Sequence, residues 1–217
     1  MDKMKTEAQV VIIGGGVVGC SALYHLAKRG VTDTLLLERD ELTSGSTWHA
    51  AGNCPTFAGS WNITKYQSYG NRLYARLAEE VDYPMNYHVT GSIRLAHTEE
   101  RMDEFRHAVG MCHAQGLDIH MMTVEDIKEK MPTLETHDIL GGLWDPYDGD
   151  IDPSQATQAF AKGARDLGAT IQRFTPVTGV AKLESGKWLV KTDKGDVTCD
   201  TVVNAAGYFG AEVAAMI

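Results

Sequence analysis

Three glycines in six residues, Gly14-x-Gly16-x-x-Gly19, stand between an apolar run and a helical pattern, with an acid, Glu38, 19 residues after the last of them. These types at this spacing suit the binding of a diphosphate. Gly14 permits a tight turn, Gly16 lets the backbone approach a pyrophosphate, and Gly19 lets a helix pack closely on a strand. A helix starting there points unpaired N–H groups and a partial positive charge at the anion, worth roughly 0.3–1 kcal/mol per contact. That is too weak to hold a ligand alone. Glu38 adds a carboxylate that accepts from ribose hydroxyls and repels a 2′-phosphate, so a dinucleotide is expected rather than a plain glycine turn.

A second stretch with chemical content is GSTWHAAG, residues 45–52. Its small residues let backbone approach a ligand, and the Trp48-His49 pair is out of place in a simple turn. Of the eight histidines, His49 alone has a distinctive setting. It is either an ordinary loop histidine or a group that touches the bound cofactor.

The elements that must position these residues are readable around them. QVVII (9–13) and TLLLE (34–38) are buried parallel strands, and Val18, Ala22 and Leu26 recur at helical spacing up to Gly30. The chain then leaves the regular strand–helix alternation of an NAD enzyme and returns to a parallel-type strand only at TVVNAAG, an interruption that favours FAD. YHVTGSIRLA (87–96) reads as strands around a turn, Thr98 opens a polar helix running towards Gly116, and Thr123 to Asp126 resemble a capping box. ILGGLWDPYDGDIDP (139–153) lacks the ligand spacing of a calcium loop and is expected to be a solvated loop. Asp152-Pro153 starts a helix with a small-residue face that ends at Gly168. Residues 169–200 read as a short strand and a three-strand meander turning at Ser185-Gly186 and Lys194-Gly195, and 200–210 as a further buried strand. The expected architecture is α/β: a discontinuous Rossmann-like domain (1–82 and 153–217) interrupted by part of an α+β substrate domain (83–152).

Composition narrows the partners. A net charge of −9 over 217 residues argues against nucleic acid or an anionic membrane surface. No stretch approaches the roughly 18 apolar residues of a membrane span, and MDKMKTEAQV lacks a secretory core, so a cytoplasmic location is expected. Cys20, Cys54, Cys112 and Cys199 lie far apart, which suggests neither a metal site nor a disulfide framework.

VVIIGGGVVG, LLLERDELTSGSTWHAAG, TGSIRLA, DPYDGDIDP and TVVNAAGYFG together resemble the amino-terminal half of the dimethylglycine and sarcosine dehydrogenases, within the D-amino-acid-oxidase-like FAD superfamily. The resemblance implies that His49 is joined covalently to the 8α-carbon of FAD, with Gly45, Ser46, Thr47, Trp48, Ala50, Ala51 and Gly52 around the cofactor. It places Val17, Val18, Glu38 and Arg39 at the pyrophosphate and ribose, Val177 at the adenine end, and Ala206-Gly207 in a returning loop. The implied reaction is oxidative N-demethylation of a small methylated amine by hydride transfer to the flavin, with an electron acceptor that the resemblance leaves unnamed. Arg94, as a carboxylate anchor, and Tyr83, Tyr87 and His88 are the substrate-pocket candidates. Tetrahydrofolate would belong to domains beyond Ile217, and the sequence reads as part of a longer enzyme. Two rivals stand beside this reading: a non-catalytic regulatory protein on the same scaffold, like the regulatory subunit of pyruvate dehydrogenase phosphatase, and an NAD-dependent dehydrogenase.

Overall fold

Residues 4–217 are described by a computed structural model. The chain forms β1 (Glu7–Ile13), α1 (Val17–Lys28), β2 (Thr34–Leu37), β3 (Asn53–Cys54), α2 (Trp61–Glu80), β4 (Tyr87–Val89) and β5 (Ser92–Ala96). Next come α3 (Glu99–His113), β6 (His120–Met122), α4 (Val124–Lys130), β7 (Gly141–Asp145) and β8 (Gly149–Ile151). The remainder is α5 (Pro153–Asp166), β9 (Thr170–Gln172), β10 (Val177–Lys182), β11 (Trp188–Thr192), β12 (Gly195–Asn204) and α6 (Gly210–Ala214). Contacts divide it into two units, one running up to Ala51 and including Leu77–Met85 and Asp152–Ile217, the other Gly52–Arg76 and Asn86–Ile151.

The first unit is built on a six-stranded sheet in the order β10-β11-β12-β1-β2-β9. Strands β12, β1, β2 and β9 are parallel, so Ile13 lies between Asn204 and Leu37 at the strand ends. Val10 to Ile13 and all of β2 are buried, which is why these segments read as unbroken apolar runs rather than alternating ones. Each such side chain removed from water contributes about 1.5–3 kcal/mol. Helices α1 and α5 face each other through Tyr24 and Phe160, whose ring centroids are 5.5 Å apart. Gly163 allows this approach, since a Cβ there would meet the Tyr24 ring and Val81 within 3 Å.

The second unit holds two three-stranded antiparallel sheets, β3-β8-β4 and β5-β7-β6. Phe105, Ala108 and Cys112 of α3 pack with Ile119 and Leu143 to form one core, while Ile127 of α4 anchors another. The Thr123–Asp126 capping box is formed in both directions.

Residues 139–153 are not a solvated loop. They contribute β7 and β8, and Asp145 and Asp148 between them are buried. The glycines that suggested a turn mark close backbone approach: a Cβ on Gly142 would lie 2.8 Å from the Arg94 carbonyl oxygen, and one on Gly149 would collide with that of His88. The turn within 87–96 is real, with Gly91 at φ 70° donating to the Asp148 carbonyl at 2.8 Å. The flanking strands do not pair with each other, however; β4 joins β8 and β5 joins β7. A single ten-residue β12 replaces the two strands expected across 195–210, pairing β11 with its first half and β1 along most of its length. Helix α2 was not anticipated, and residues 52–76, assigned from sequence to the nucleotide-binding domain, pack within the second unit. Among the described residues no helix is long and apolar enough to cross a membrane.

Asp152 caps α5 by accepting from the Ser154 and Gln155 N–H groups, both at 2.9 Å. Asp152→Ala is expected to cost about 1 kcal/mol, read as a lower urea midpoint at unchanged m-value, with Asp152→Ser recovering most of the loss.

Candidate functional site

β1 delivers the chain to Gly14, which takes φ 113° and donates to the Leu37 carbonyl at 2.9 Å. A side chain at Gly14 would collide with the Ala205 carbonyl, and one at Gly19 with the Gly14 carbonyl. The two glycines therefore let α1 begin directly against the ends of β1 and β12. Gly16 is the N-cap and supplies no side-chain cap, and the first turn carries no acid. Among the described residues nothing accepts from the Gly16 or Val18 N–H, and Val18 is exposed. The positive end of the helix is thus open to an anion.

Glu38, at the end of β2, accepts from the Gly15 N–H at 2.6 Å through one carboxylate oxygen and from the Asp40 N–H at 2.8 Å through the other. Each oxygen keeps a further lone pair for a hydroxyl. The carboxylate both fixes the glycine turn and stands where a ribose would be read.

The 43–52 segment is tied to the same turn. Thr43 donates its N–H to the Gly15 carbonyl at 3.1 Å, at φ 74°, an unusual conformation for a β-branched residue and one that costs energy. Thr47 is buried, and its hydroxyl accepts from the Val17 N–H at 3.0 Å. Ser46, Thr47, Trp48 and His49 form one 3-10 turn after Gly45. The Trp48 and His49 rings lie 4.0 Å apart, and Trp48 Nε1 donates to the Ser44 carbonyl at 3.1 Å. His49 Nδ1 is 3.1 Å from the Gly45 carbonyl. A carbonyl only accepts, so Nδ1 carries the hydrogen and the lone pair sits on Nε2 of an exposed ring. Ala50 and Ala51 follow in the first unit. Gly52, at φ 80°, belongs to the second, where its carbonyl accepts from the Ile151 N–H at 2.9 Å.

The returning loop is held by the Ala205 N–H on the Ile13 carbonyl at 2.9 Å and the Ala206 N–H on Asn204 Oδ1 at 3.2 Å, with Gly207 at φ 56°. Arg39 stacks on the Phe209 ring at 4.0 Å and pairs with Asp40 at 3.3 Å. Val177 does not join this group; its side chain packs on the sheet core, while Thr175 two residues earlier donates its N–H to the Glu38 carbonyl at 2.8 Å. Thr43, Ala205 and Phe209 escaped the sequence reading. Thr43 and Ala205 act through backbone groups and Phe209 through its ring, and none carries a motif signal.

The substrate-pocket candidates divide between the two units. Tyr83 belongs to the first unit, where its N–H donates to the Ala78 carbonyl at 3.0 Å. In the second, His88 Nδ1 lies 3.0 Å from Asp150, and burial pushes the Tyr87 phenol up to about 12. Arg94 donates one N–H to the Phe57 carbonyl at 2.8 Å, stacks on the Phe57 ring at 4.4 Å and sits 3.9 Å from Asp148, with the other N–H groups of its guanidinium unused by these contacts. Among the described residues no group of three or more His, Cys, Asp or Glu is arranged to hold a metal.

A methyl at Gly19 has no route around the Gly14 carbonyl, which is backbone and fixed by β1. Gly19→Ala is expected to lower the urea midpoint by more than Gly30→Ala, whose site opens to empty space but whose backbone at φ 86° still strains an alanine. Equal losses for the two would remove the close contact as the reason for Gly19.

Residues 9–217 match the family described as FAD dependent oxidoreductase. The mitochondrial dimethylglycine dehydrogenase of Rattus norvegicus is 44% identical over 98% of this chain and 25% of its own length. The mitochondrial sarcosine dehydrogenase of Homo sapiens is 32% identical over 98% of this chain and 24% of its own. The crystal structure of L-proline dehydrogenase from P. horikoshii superposes with a TM-score of 0.91 at 28% identity, over 98% of this chain and 56% of that one. The chain thus spans about a quarter of the length of these curated relatives. With the glycine turn, the open helix start and the Glu38 carboxylate in this arrangement, the chain belongs to the FAD-dependent oxidoreductases of the D-amino-acid-oxidase type.

Proposed function

We propose that this chain is the cofactor-holding part of an enzyme that oxidatively N-demethylates a small methylated amino acid, with FAD tethered through His49. The reading is supported most by the likeness to dimethylglycine dehydrogenase over 98% of the chain. The local geometry is compatible with it: the Gly16 and Val18 N–H groups at the start of α1 are open to a diphosphate.

Bound FAD supplies the two-electron acceptor that C–H oxidation beside nitrogen requires. The chain's own residues do the rest. Gly16, Val17 and Val18 present the helix start to the pyrophosphate, and Glu38 accepts from the ribose hydroxyls. Thr47, by accepting from the Val17 N–H, keeps the 3-10 turn against that helix start and so limits where His49 can reach. The Gly45 carbonyl accepts from Nδ1, so Nε2 would be the ring atom available to hold the flavin.

The test is acid precipitation of the purified, flavin-loaded protein, followed by a visible spectrum and intact mass. Flavin absorbance in the pellet and an FAD-sized mass increment are expected, both lost in His49→Ala. Flavin released entirely to the supernatant overturns the tether, and a colourless protein that retains NADH favours the NAD-dependent rival. Anaerobic dimethylglycine or sarcosine should bleach the bound flavin while glycine leaves it oxidised; failure of both methylated amines to bleach it favours the regulatory reading.

A further inference from the structure

The turn between β7 and β8 carries two acids inside the second unit, neither of which the flavin chemistry uses. Asp145 is fully buried and Asp148 nearly so. Asp148 accepts at both carboxylate oxygens, from the Thr56 N–H at 2.5 Å and from the Ser92 hydroxyl at 2.5 Å, with Arg94 3.9 Å away. Both of its oxygens are therefore engaged as acceptors. Asp145 accepts from the Tyr147 N–H at 3.0 Å through Oδ1, while no donor reaches its Oδ2, which is sealed from solvent. An ionised oxygen in that position would be desolvated without compensation and would face a second carboxylate.

We infer that Asp145 is held as the neutral acid, with its proton on Oδ2 shared with Asp148, and that this shared proton is a pH-sensitive latch on the second unit. Several elements meet at the latch. Ser92 of β5 pairs in register with Asp145 of β7 and donates its hydroxyl to Asp148. Thr56, which donates to Asp148, also accepts from Asn71 of α2, and Asn71 reaches the Cys54 carbonyl as well. Loss of the proton puts two carboxylates side by side with one half-exposed arginine nearby, and every strand and loop bonded to the pair carries the repulsion.

The direction of titration agrees with this geometry. Burial, with the Asp148 carboxyl beside it, pushes Asp145 up to about 7. A carboxyl raised on folding contributes stability below its unfolded range, and that contribution is lost as pH rises through about 7. The other groups that face the pair hold their state across this window. Cys112 of α3 and Cys54 of β3 are pushed up to about 11 by burial and Tyr87 of β4 to about 12.

The experiment follows the urea midpoint of the intact chain from about pH 5 to about pH 9, for the wild type and Asp145→Asn, which keeps a donor and cannot ionise. The wild type is expected to lose folding equilibrium by about tenfold per pH unit more than Asp145→Asn as pH approaches 7, with the excess slope vanishing above it. Parallel pH profiles overturn the latch. Should Asp145→Asn fail to fold, infrared spectra of the wild type decide: a protonated-carboxyl stretch at acid pH that disappears through neutrality supports the shared proton, and its absence at acid pH overturns it. Neither readout involves flavin, so the outcome is independent of the proposed N-demethylation.

Discussion

The site in the first unit depends on one close contact, that of α1 with the end of β1 where Gly19 meets the Gly14 carbonyl. Any Cβ there forces the helix away from the strand. Without the contact, the Val17 N–H would not sit where the Thr47 hydroxyl accepts from it, and Thr43 could not reach the Gly15 carbonyl. Glu38 bonds to Gly15 from the β2 side, so the turn is clamped by groups from two separate stretches of chain. Binding capacity here arises from what is missing: side chains at the glycines and acceptors at the helix start.

This part of the molecule was legible in the sequence because its signals are local. The apolar run of β1, the glycine spacing, the apolar β2 and its terminal acid are contiguous in the chain, and each has a steric or electrostatic reason that needs no distant partner. The Asp152-Pro153 helix start and the meander turns at Gly186 and Gly195 are of the same kind, and both glycines adopt positive φ. The bond from the Gly15 N–H to Glu38, and the placement of Phe209 against Arg39, join residues far apart in the chain and left no trace in spacing.

The second unit was misread for a physical reason. Glycine and aspartate together ordinarily mark exposed turns, and 139–153 is rich in both. Here the glycines are thin spots where β7 and β8 lie close to Arg94 and His88, and two of the aspartates are internal acceptors for Thr56, Ser92 and Tyr147. Only tertiary context separates an aspartate that caps a buried network from one that solvates a loop. The separation of β4 and β5 into different sheets has the same origin: Gly91 bonds to the Asp148 carbonyl, which turns the chain away from a hairpin.

The two units also satisfy their polar groups differently, with consequences for where chemistry can occur. In the first, the turn around Gly14 to Gly19 is held mainly by backbone groups and the Glu38 side chain, an arrangement that leaves N–H donors and lone pairs facing outward. In the second, side-chain donors and acceptors from α2, β5 and the β7–β8 turn bond mainly to one another. In the region 43–52 the Gly45 carbonyl occupies one ring nitrogen of His49 and leaves Nε2 with unused capacity.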